Sequence, residues 1–227
     1  MKKLLNSLFL ISIAVLFFSC SNDSGPFEDE FVNYDIMQLV SQNKEKGTTF
    51  SFYVAGNNDE VIYTDVREVI DTTKVKLGDC LLLGYKTINK PYESGNIIAI
   101  GYTPILNDKL RVSEDGVDNE MPDWKRDGIY LYSIWRMGNF INVHGRLVYS
   151  DEDKELVVVI DRKDVNQENP LPTLRLIHRT FDPVENFERE FYASFDISAI
   201  WKFDWLEGVQ VELNNLNLKQ DTFLFYK

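Results

Sequence analysis

Cysteine and histidine are almost missing: the 227 residues hold only Cys20 and Cys80, and only His144 and His178. The two histidines lie about thirty residues apart on separate predicted strands, with no cysteine or second histidine at ligand spacing, so a zinc site has no basis. Basic residues are also scarce. With 24 Lys plus Arg against 36 Asp plus Glu the net charge is -12, a field that repels polyanions, so nucleic acid is not an expected partner. The chain has no Gly-x-Ser-x-Gly elbow, no phosphate-cradling glycine loop and no dinucleotide fingerprint. Nothing in it specifies a reaction, and neither a cofactor nor a metal is expected. The chain does have 44% hydrophobic and 13% aromatic residues, enough to build a real core in one large domain or two small ones.

The longest apolar stretch, Leu4 to Phe18, follows the basic start Met1-Lys2-Lys3 and is too short to span a bilayer, which marks a secretory signal. It runs into Leu16-Phe17-Phe18-Ser19-Cys20 and then the polar Ser21-Asn22-Asp23-Ser24-Gly25-Pro26. This arrangement resembles a bacterial lipobox. The resemblance implies a signal peptide over 1–19, cleavage before Cys20, acylation of the Cys20 thiol and of the new terminus, and a flexible tether over 20–30. Several acyl chains hold a protein on a membrane stably. The expected location is therefore the cell envelope, as an outer-membrane lipoprotein, with its side of the membrane left open. Removing Lys2 and Lys3 leaves 22 basic and 36 acidic side chains, a charge of -14. A lipidated Cys20 cannot pair, so Cys80 is expected as a free thiol. The run from Cys80 to Leu83 is apolar on both faces, and there a thiol acts as a small buried hydrophobe.

Short β-branched and aromatic runs broken by turn residues recur along the chain, and no helical period persists, so the fold class is all-β. Candidate strands in the first half are 31–39, 48–54, 60–64, 79–86 and 96–104, with a hairpin turn at Gly56-Asn57-Asn58-Asp59. Five strands suit a small closed barrel of OB type over 31–110. The acid-rich segment 111–123 is expected as a linker. Its clustered Glu114, Asp115, Asp118, Asn119 and Glu120 raise a calcium loop, but the spacing misses the alternate-position pattern around a required glycine. Seven more strands, at 129–135, 139–149, 154–161, 174–179, 190–195, 208–214 and 222–226, favour a β-sandwich over 124–227. In 139–149, Ile141, Val143, Leu147 and Tyr149 alternate with Asn142, His144 and Arg146, which predicts one buried and one wet face. The acids Asp151-Glu152-Asp153 fit a solvated hairpin tip.

Four fragments carry a resemblance: Trp135-Arg136-Met137-Gly138-Asn139-Phe140-Ile141-Asn142, Leu174 to Arg179, Ala193 to Ile200, and Val209 to Leu213. In order and spacing they resemble the NigD-like lipoproteins of Bacteroidota, as does Lys76-Leu77-Gly78-Asp79 in the first half. The resemblance implies an OB-like domain, a β-sandwich and a lipid anchor, and an association with bacteriocin operons, but no catalytic or binding residues. The function expected is that of a non-catalytic binding or accessory protein of the envelope, whose partner is an envelope protein or a glycan. The alternative is an envelope hydrolase acting on glycan or peptide. In Ile200-Trp201-Lys202-Phe203-Asp204-Trp205 an extended backbone places Trp201, Phe203 and Trp205 on one face. Such rings fill a core or anchor a partner, and these three are the candidate partner-binding residues.

Overall fold

The period-two apolar pattern of the first half closes into a barrel. The computed structural model describes residues 32–54, 59–88, 90–148, 154–181 and 188–227. The expected signal peptide, Cys20, the tether over 20–30, the turn residues 56–58 and the hairpin tip 151–153 lie outside them. Strands β1 (Asn33–Asn43), β2 (Gly47–Tyr53), β3 (Glu60–Asp65), β4 (Cys80–Thr87) and β5 (Gly95–Pro104) form a closed barrel in the order β1-β2-β3-β5-β4. Inward positions repeat every second residue, as in Phe50 and Phe52, Val61 and Tyr63, and Leu81, Leu83 and Tyr85, all buried. Irregularities at Leu39/Ser41 and Gly84/Tyr85 add the local bend that closure requires.

The weakest seam is parallel: β3 and β5 pair only through Tyr63 with Gly95 and Thr64 with Asn96. A side chain reinforces it. The buried Asp65 carboxylate accepts the Ala99 N–H on β5 at 2.8 Å and both Nε and Nη2 of Arg67, at 2.9 and 2.6 Å. Beside Asp65, at the start of β2, Gly47 has φ +76°, and a Cβ there would lie 2.0 Å from the Asp65 carbonyl oxygen, so only glycine fits.

Nine strands follow: β6 (Leu106–Lys109), β7 (Arg111–Ser113), β8 (Tyr130–Met137), β9 (Phe140–Val148), β10 (Lys154–Asp161), β11 (Thr173–Thr180), β12 (Glu188–Asp196), β13 (Gly208–Leu213) and β14 (Thr222–Tyr226). Two single-turn helices, α1 (Val117–Glu120) and α2 (Ser198–Trp201), interrupt them. The strands form a five-stranded sheet, β14-β13-β11-β10-β7, and a four-stranded sheet, β6-β12-β9-β8. Ile141, Val143 and Phe195 of the second share one core with Val158, Ile160, Leu174 and Val211 of the first. The chain is all-β.

The segment 111–123 is not a linker. Arg111–Ser113 runs parallel to β10, and the buried Leu110 before it lets the chain step from one sheet to the other. Val117 and Trp124 then cover Val157, Val159 and Ile177 on the outer face of the five-stranded sheet. The Asp161 carboxylate fastens this cover by accepting the Val117 N–H at 2.6 Å and the Arg175 guanidinium at 3.1 Å. The physical reason lies in β10, whose residues 156–160 are apolar without a break and leave two faces to be buried.

Residues 32–227 form one compact unit, and the barrel sits against the four-stranded sheet. Asn107 of β6 clasps Cys80 of β4, accepting its N–H at 2.7 Å and donating to its carbonyl at 2.8 Å. Met137 is part of the barrel core, and Trp135, Phe140 and Tyr192 pack on that core. This contact corrects the wet face expected along β9: Asn142 is fully buried, because its cross-strand neighbours Trp135 and Ser194 belong to the end that meets the barrel.

Candidate functional site

Where barrel and sheet meet, they leave a cleft of about 440 Å³, within the range of roughly 300–1,000 Å³ usual for ligand sites. The barrel wall is Tyr34, Asp35 and Ile36 of β1, Phe52 and Tyr53 of β2 with Val54, Leu82 of β4, and Tyr92 of the β4–β5 loop. The facing wall is Trp135 and Met137 of β8 and Tyr192 of β12. Six of the eleven lining residues are aromatic, and Asp35 is the only charged one.

The rings are held in place. Tyr34 lies across from Gly84 in the β1–β4 register, and a Cβ on that glycine would come within 2.8 Å of its Cε1. Tyr53 lies against Gly138 in the same manner, at 2.6 Å from where a Cβ would stand, and φ +55° at Gly138 also disfavours a side chain. Phe52 stacks on Tyr63 at 5.4 Å, and Tyr192 stacks on His144 at 4.1 Å with planes 6° apart. Tyr92 has φ +65°, a conformation uncommon for a residue with a side chain, and its N–H donates to the Tyr63 hydroxyl at 2.9 Å.

Electrostatics shifts two hydroxyls of the cleft upward. Burial raises Tyr53, with Glu60 adding to the effect and Arg136 opposing it; burial and then Glu190 raise Tyr192. Beneath the wall, burial and the Asp35 carboxylate push Tyr85 well above the usual phenol range, and its hydroxyl donates to Asp35 Oδ2 at 2.8 Å. The cleft thus offers phenol donors and one tethered carboxylate acceptor.

The residues singled out from sequence fall elsewhere. The aromatic segment begins inside the helix Ser198–Trp201, so Trp201, Phe203 and Trp205 do not share an extended face. Trp201 is buried in the core between the two sheets, with Arg136 over its ring at 4.8 Å. Phe203 and Trp205 stack on each other at 5.2 Å, half-buried against the same core. Cys80 is buried and free, and burial pushes its thiol up to about 12, too high for a nucleophile. His144 lies 2.6 Å from Glu190 on the four-stranded sheet, and His178 is buried on β11 of the other. Among the described residues, no group of three His, Cys, Asp or Glu could hold a metal ion.

The cleft residues were not visible as a motif, since Tyr34 and Tyr192 are far apart in the chain and each ring alone reads as core. One signal was present: Trp135 and Met137 belong to the fragment that carries the family resemblance.

No family model matches the chain, and no curated protein does. Solved structures do match. A DUF1344 protein of unknown function from Bacteroides vulgatus is 14% identical with a TM-score of 0.68, covering 87% of this chain and 91% of its own. A NigD-like immunity protein from Bacteroides caccae is 12% identical with a TM-score of 0.57, covering 87% and 93%. The fold is shared with a NigD-like protein. A candidate lipoprotein from Bacteroides fragilis adds a TM-score of 0.59 at 8% identity, covering 87% and 96%. The structural neighbours therefore include the NigD-like kind that the sequence resembles, and at these identities the likeness is one of fold.

Proposed function

We propose that this chain is a NigD-like lipoprotein of the cell envelope, anchored to the outer membrane through Cys20, and that it is a non-catalytic binding module whose ligand sits in the aromatic cleft. The barrel is of OB type, supported by the strand order β1-β2-β3-β5-β4, and the two sheets around a common core form a β-sandwich. The names of two structural neighbours, a NigD-like immunity protein and a candidate lipoprotein, support the location and the bacteriocin-associated setting.

One observation carries the non-catalytic reading: a preorganised aromatic cleft with a single carboxylate. A glycosidase of the usual kind needs two acids about 5–9.5 Å apart across the bond it breaks, and the lining supplies Asp35 alone. Two measurements test the proposal. Cys20→Ser moves the protein from the membrane pellet to the soluble fraction. A photocrosslinking amino acid at Tyr53 captures a ligand in intact cells, while the same group at the exposed Leu218 does not. Membrane retention of the Cys20→Ser protein contradicts the anchor, and equal crosslinking from both positions contradicts the cleft.

A further inference from the structure

The chemistry of the lining selects among ligands. Six rings present flat apolar surface, while four of them are tyrosines whose hydroxyls, with Asp35, supply polar contacts at the same positions. A pyranose ring has the matching character: its C–H face is apolar, and its rim carries hydroxyls that both donate and accept. A carboxylate suits such a rim because its two oxygens accept from hydroxyls without competing as donors. Asp35 has one oxygen engaged by Tyr85, which fixes the group and leaves acceptor capacity toward the cleft.

Charge narrows the class further. Among the described residues no Lys or Arg lines the cleft, and a molecule of net charge -12 disfavours anions. A single carboxylate is a poor match for a polycationic peptide. Addition of a peptide strand to the barrel wall has no free edge to use, because β1, β2 and β4 are each paired on both sides. A quaternary ammonium head is held by rings within about 6 Å of one charge, and would fill only part of 440 Å³.

We infer that the cleft binds a neutral saccharide, stacked on Tyr34, Trp135 and Tyr192 and hydrogen-bonded through its hydroxyls to Asp35 and Tyr53. This rests on the reading that the cleft is the binding site, and it adds the class of ligand. The fixed seats of Tyr34, Tyr53 and Tyr192 on Gly84, Gly138 and His144 reduce the ordering cost of stacking.

The test is calorimetry on the full chain in detergent micelles, with neutral hexasaccharides of the gluco, manno and N-acetylglucosamine types, and with choline and pentalysine as competing classes. At least one hexasaccharide binds. Tyr34→Ala weakens it about tenfold, and this variant folds because Tyr34 is 67% exposed. Asp35→Asn weakens it less and Tyr192→Phe, which keeps the ring, least. No binding of any hexasaccharide overturns the inference, as does saccharide binding that Tyr34→Ala and Asp35→Asn leave unchanged, or binding of choline or pentalysine in place of sugar. If crosslinking from Tyr53 in cells persists in those cases, the saccharide class has failed and the cleft as a binding site has not.

Discussion

Asp65 shows how much one side chain can carry. It closes the barrel where two strands share only two residue pairs, so its loss frees the Ala99 N–H and removes the ion pair of Arg67, whose Nη2 also donates to the Ala99 carbonyl at 3.0 Å. Burial acts to raise this carboxyl, yet hydrogen bonds from Arg67 and Ala99 prevail and hold it below the usual range. Asp65→Ala is expected to cost about 2–3 kcal/mol in urea unfolding, and a change near zero would remove the seam argument. Asp127 offers a pH test. Burial works to raise its carboxyl, but Arg126 and the N–H and hydroxyl of Thr180 bring it down to about 2. The folded-state value is the lower one, so its stabilisation is present above about pH 4 and is lost as the pH falls toward 2. The stability gap between wild type and Asp127→Asn, on the order of 1 kcal/mol, is therefore expected at pH 6 and closes near pH 2. Trp201→Ala should destabilise by about 3–5 kcal/mol, as removal of a core indole does, with Trp205→Ala costing clearly less in the same assay. Equal effects would place the two rings in like surroundings, against the burial of Trp201.

At the scale of elements, strand positions were legible because period two survives in nearly every half-buried strand. The predicted 208–214 and 222–226 appear as Gly208–Leu213 and Thr222–Tyr226. The segment 106–124 was not legible as structure. β6 and β7 are too short to show a period, and the acids of 114–120 mask the buried Val117. The usable clue lay in its partner: an unbroken apolar run over 156–160 requires a cover on both faces. Limited proteolysis checks this, since 111–124 is expected to resist cleavage until the protein unfolds, and early cuts there would mean that the cover is loose. The cleft was hidden for another reason. Its walls come from four barrel elements and two sheet strands, and only the docking of barrel on sheet brings them together.

For the whole molecule, the docking of the barrel builds the proposed site. It buries Asn142, orders Trp135 and Tyr192 against the barrel core, and converts scattered aromatics into one lined cavity. The excess negative charge lies outside that cavity, whose lining holds one acid, so the molecule repels anions while the site itself stays close to neutral. The central claim is that the cleft is occupied in the cell envelope. With Cys20 acylated, as proposed, and the Cys80 thiol buried, a cysteine placed at the half-buried Val54, which lines the cleft outside the stacking and hydrogen-bonding residues, is the one thiol open to a maleimide. The direct measurement compares labelling of Val54→Cys in intact cells and in the purified protein, with Leu218→Cys as the exposed reference. The account predicts that Val54→Cys labels several-fold more slowly in cells relative to Leu218→Cys, and that the difference disappears on purification. Equal relative rates in both settings would contradict it.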